Sequence, residues 1–62
     1  MNKRFYVNVS WADAAYISDN LRYRSIPFAT YVVSLTKVII EINEKDVPRA
    51  AVLDYTWKEK TL

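Results

Sequence analysis

Three groups of side chains in this sequence could do chemistry. The first is acidic: Glu41, Glu44 and Asp46 fall close together. A hard cation such as Mg²⁺ takes oxygen ligands of this kind. The simpler reading is a solvated loop in which Asp46 caps a helix, so neither metal nor cofactor is expected. An EF-hand is excluded, because the chain has no Gly and lacks the ligand spacing. The second group is basic: Lys3, Arg4, Arg22 and Arg24, with Tyr23 between the last two. If a strand carries Lys3 and Arg4 and the next helix runs back along it, these residues meet at one end. That end could contact phosphate. The competing reading is arginines that complement the helix dipole, partly paired with Glu41 and Glu44. The third group is the serines at 10, 18, 25 and 34, none with a neighbour in sequence that would activate it.

The missing residue types exclude more than the present ones suggest. Without His or Cys, two of the commonest acid–base and nucleophilic players are gone. Without Gly there is no phosphate-cradling loop, dinucleotide fingerprint or nucleophile elbow. The chain is read as non-enzymatic, with a carboxylate-dependent enzyme as the remote alternative.

Around these groups the chain must build elements, and the stretch from Phe28 to Asn43 organises the rest. Its sixteen residues are the densest run of β-branched and aromatic side chains in the sequence. One strand of that length would reach roughly 50 Å, beyond the usual range. A hairpin is therefore expected, turning at 34–37. Lacking Asn-Gly or Asp-Gly, it needs a looser loop built on a type I turn. The alternative is one long bent strand paired with a second chain. Alternation puts Val38, Ile40 and Ile42 on the core side of the second strand and Ile39, Glu41 and Asn43 on the other. Phe28, Val32 and Ile39 are read together as an apolar face that something must cover, and so as the candidate partner-binding site.

The flanks follow the same logic. Residues 3–9 alternate as a strand, with Phe5, Val7 and Val9 on one side. Ser10 is the expected N-cap of a helix over 11–23, with Asp13 at the capping-box position. Ala14, Ile17 and Leu21 form its apolar stripe. Pro27 stops it, since the residue before a proline is pushed from the α region. Asp46 then starts a second helix, with Pro48 in its first turn, Ala50, Leu53 and Trp57 on one face, and Lys58 and Lys60 at its end. The competing assignment is a strand over 51–57. The expected fold is α+β, ordered β-α-β-β-α, with β-α-β-β-β as alternative, in one domain spanning residues 1–62.

Size and charge complete the reading. A 62-residue chain has a marginal core, no Cys is present to form a disulfide, and without His a zinc site is not expected. With 52% hydrophobic residues, a homodimer is favoured. Net charge is +2, too little to imply nucleic acid by itself. Aromatics make up 15% of the chain, but alternation assigns only Tyr6 outward, so an RNA-binding sheet has little support. No apolar run reaches the roughly 18 residues of a membrane span, and the absence of Cys fits the cytoplasm. In size and lack of catalytic groups the chain is similar in general style to small accessory proteins of phages and mobile elements. The leading expectation is a protein-interaction module, a regulator or inhibitor of a partner protein. The alternative is a nucleic-acid or nucleotide binder using Lys3, Arg4, Arg22, Tyr23 and Arg24.

Overall fold

The structure, a computed structural model, describes residues 3–61. It runs β1 (Arg4–Ser10), α1 (Trp11–Tyr23), β2 (Phe28–Val32), β3 (Lys37–Asn43), a helical stretch over 44–53 centred on the single turn α2 (Val47–Ala50), and a two-residue strand β4 (Lys58–Glu59). The expected order β-α-β-β-α is present, with β4 added after it. All pairings are antiparallel, in the order β2-β3-β1-β4.

Local chemistry explains the ends of α1. Ser10 is extended (ψ 164°) and its Oγ accepts the Asp13 backbone N–H at 3.2 Å. At the other end Ser25 adopts φ 55°. The Ile26 N–H then donates to the Leu21 carbonyl at 2.9 Å, and the Ser25 N–H to the Arg22 carbonyl at 3.0 Å. This is a Schellman cap, with buried Ile26 as its hydrophobic partner for Leu21. The left-handed position, normally glycine, is held by serine in this glycine-free chain. The helix therefore ends on its own cap, two residues ahead of Pro27.

The hairpin turns at 33–36, which sets aside the long bent strand. Its loop needs no left-handed residue: among the described residues only Ser25 and Asp54 have positive φ. The Val33 and Ser34 N–H groups both donate to the Lys37 carbonyl, and Ser34 Oγ accepts the Thr36 N–H at 3.2 Å. The register pairs Phe28 with Ile42, Thr30 with Ile40, and Val32 with Val38. Directly opposed residues share a face. Phe28 and Val32 therefore lie on the α1 side, while Ile39 lies on the other. This corrects the expectation of one apolar patch joining all three.

The core fills the α1 side of the sheet. Ile17, Leu21, Ile40 and Ile42 are fully buried, joined by Val7, Val9, Val38 and Ile26. Ala50 and Leu53 belong to the same cluster, so the helical stretch also packs there. The second helix is shorter than expected. Asp54 turns left-handed at φ 60° and ends it, leaving Trp57, Lys58 and Lys60 off any helix. Trp57 still packs on the core from an extended segment. Asp46 makes no capping hydrogen bond; its buried carboxylate instead meets Arg49 at 3.5 Å. Arg49 also donates to the Arg24 carbonyl, which ties the helical stretch to the end of α1.

Two stability measurements check this account. Ile40→Ala or Leu21→Ala should each cost about 2–5 kcal/mol in denaturant unfolding, because both sites are fully packed. Ser25→Gly should stabilise the protein by about 0.5–1 kcal/mol, since removing Cβ relieves the left-handed strain and is only partly offset by unfolded-state entropy. A loss on Ser25→Gly would mean that the serine side chain contributes more than its backbone costs.

Candidate functional site

Antiparallel register and alternation assign every side chain on the sheet face away from α1. Three rows cross its middle, and Lys37, opposite Ser10, stands at the hairpin end of the same face. The first joins Tyr31, Ile39 and Asn8; the second Ala29, Glu41, Tyr6 and Lys58; the third Asn43, Arg4 and Lys60. Among the described residues no helix covers these rows. An open cavity of about 450 Å³ lies over them, walled by Tyr6, Tyr31, Ile39 and Glu41, with Glu59 and Lys60 at its rim.

Glu41 is the electrostatic centre of this face. It sits mid-strand on β3, flanked by β1 and β2, and is only 5% exposed. Arg4 Nε donates to its Oε1 at 2.8 Å and Lys60 Nζ to its Oε2 at 2.9 Å. Arg4 Nη1 donates further to Asn43 Oδ1 at 2.9 Å. The hydrogen bonds from Arg4 and Lys60 hold the Glu41 carboxyl below its ordinary pKa, against the opposing effect of burial. The reciprocal bond raises the Lys60 pKa. Lys60 also lies 5.7 Å from the Tyr31 ring centroid, within cation–π range. One carboxylate thus anchors β4 to the middle of the sheet through Lys60.

The expected basic end divides. Arg4 points to the open face and pairs with Glu41. Arg22 lies on the α1 side, 3.2 Å from Asp19 and stacked 5.4 Å over the Phe28 ring. Arg24 bonds to Asn20 and lies over Tyr23. Lys3 reaches Glu59 at 3.8 Å. The topology brings these residues to one end, but on two faces and already engaged. The acidic group divides as well: Glu41 is caged, Asp46 faces Arg49, and among the described residues no three acidic groups gather as metal ligands.

The free edge is a second feature. Among the described residues β2 pairs only with β3, which leaves its outer row of backbone groups unpaired there. Between β2 and α1 runs a groove of about 360 Å³ that leaves Val32 67% exposed. Tyr31, Val33 and Leu35 are also exposed. Among the described residues no helix is long and apolar enough to cross a membrane. Neither protein-family models nor curated proteins nor solved structures give a match to the chain.

Sequence reading missed Tyr31, Lys58 and Lys60 as members of the open face. The two lysines stand two residues apart, the period of a strand, which is the signal that could have placed them.

The Glu41 cage makes a pH prediction. Because the carboxyl is more acidic folded than unfolded, it contributes stability above its ordinary value of 4.5 and loses it as pH falls through the lower folded value. Glu41→Gln should lower the melting temperature at neutral pH, and the gap to the parent protein should shrink at about pH 3. An equal gap at both pH values would show that the carboxylate charge plays no part.

Proposed function

We propose that the protein is a small non-enzymatic interaction module of the regulator or inhibitor kind. Its binding element is the edge strand β2, and its first partner is a second copy of itself. The observation carrying this reading is an unprotected edge. Natural edge strands are usually blunted by Lys, Pro or a bulge, because unpaired backbone groups recruit further strands. Here residues 25–36 contain no charge, and Pro27 precedes the strand rather than interrupting it. An uncharged strand meets its own antiparallel copy with no like charges opposed, which suits a two-fold interface. The groove beside Val32, lined by Trp11 and Val38 but also by Asp19 and Arg22, adjoins this edge and offers a mixed surface for side chains of the incoming strand, as in strand addition generally. The chain also lacks disulfides, leaving association as one of the few means of adding buried area.

Light scattering coupled to size exclusion tests this reading. The expected result is a concentration-dependent rise from the 7.3 kDa chain mass towards twice that value. Val32→Lys should abolish the rise and leave the circular dichroism unchanged, since the side chain is 67% exposed. A protein that stays at the single-chain mass at high concentration overturns self-association through β2.

A further inference from the structure

We infer that the open face of the sheet is a binding platform for single-stranded nucleic acid, at a site distinct from the β2 edge. The first observation is the placement of two aromatic rings. Tyr6 and Tyr31 stand on β1 and β2 on either side of β3, and both wall the same cavity. Strand spacing and register put their backbones roughly 12 Å apart. Between them lie half-buried Ile39 and the aliphatic part of the Glu41 cage. Rings on an uncovered sheet are surfaces on which unpaired bases stack.

The second observation is charge. The face carries Arg4, Lys37, Lys58 and Lys60 against the single carboxylate of Glu41. Arg4 and Lys60 share that carboxylate and leave one net positive charge. Lys37 and Lys58 are exposed and have no ion-pair partner among the described residues. At the rim Lys3 and Glu59 offset each other. The solvent side of α1 is different: Asp13 and Asp19 are exposed there, and Arg22 is paired with Asp19. Net charge of the whole chain conceals this asymmetry between faces.

The geometry also selects the type of nucleic acid. Among the described residues no helix projects from the open face to enter a duplex groove. Stacking on Tyr6 and Tyr31 needs bases that are free of a partner strand. Lys58 on β4 and Lys37 at the far end of β3 lie to either side of the rings, where a backbone crossing the sheet would carry its phosphates. Asn8, beside Ile39, adds a polar group within reach of a base edge.

Fluorescence anisotropy with a labelled mixed-sequence single strand of about twelve nucleotides tests the inference, with the same sequence as duplex for comparison. At low salt the single strand should bind with a dissociation constant on the order of 10–100 µM and in preference to the duplex. The log–log salt slope should be roughly −2, for three net charges on a single strand. Tyr31→Ala should weaken binding about tenfold or more. Lys37→Gln with Lys58→Gln should flatten the slope to about −0.7, the value for one remaining charge. Tyr16→Ala, an exposed ring on α1, should change nothing. Amide shifts of the unmodified protein on titration should concentrate at Tyr6, Asn8, Tyr31 and Ile39 and spare α1, which keeps the test valid if a variant fails to fold. No binding at low salt, equal binding of duplex, or shifts centred on α1 or on the outer edge of β2 overturns the inference. Val32→Lys separates the two proposals: binding at the open face should survive loss of self-association.

Discussion

Everything in this small domain depends on β3 being buried on both sides by different physics. On one side Ile40 and Ile42 are fully enclosed and provide the apolar burial that holds α1 to the sheet. On the other side Glu41, between those two residues in sequence, is nearly as buried but is held by two cations. A carboxylate removed from water is costly unless charged donors replace that water. Arg4 from β1 and Lys60 beyond β4 do so, binding the first and last segments of the chain to its middle. The ion pairs therefore specify topology as well as charge balance. Lys60 has a partner only if β4 lies against β1, and that placement also positions Lys58 beside Tyr6.

The absence of glycine shapes the rest. Where the backbone must turn left-handed, Ser25 and Asp54 take the position at some conformational cost. At Ser25 the cost is offset by two cap hydrogen bonds and by burial of Ile26. At Asp54 the result is an abrupt end to the helical stretch, which releases Tyr55 to Glu59 as an extended segment. Tyr55 settles near Asp13, where burial first and the neighbouring carboxylate second raise its hydroxyl pKa. The C-terminal segment is thus tied both to the start of α1 and to the first strand.

The sheet's two exposed features have opposite chemistry. The β2 edge is neutral and apolar, while the open face is aromatic and cationic. If two β2 strands pair about a two-fold axis perpendicular to the sheet, antiparallel geometry keeps both open faces on the same side. Self-association would then extend the platform without covering it.

Much of the fold is legible in the amino-acid order because local patterns govern it. Ser10 and Asp13 mark the start of α1, while Ala14, Ile17 and Leu21 mark its buried stripe. Val38, Ile40 and Ile42 mark the inner side of β3. The grouping of candidate site residues was less legible, because it depends on which strand lies beside which. Alternation alone leaves open whether Phe28 shares a face with Ile39 or with Ile42, and only the hairpin register decides. The basic end looked like one patch because the topology does gather Lys3, Arg4, Arg22 and Arg24 there, yet consecutive elements present them on opposite sides of a sheet. Lys58 and Lys60 suited a helix terminus in the sequence. Tertiary structure made them strand residues, because the left-handed turn at Asp54 freed the chain and Glu41 offered a buried charge to be met. Sequence determined the periodicities and the missing chemistries, which are local properties. The tertiary structure decided faces, neighbours and charge partners, because those arise from contacts between residues nearly forty positions apart, such as Arg4 and Glu41.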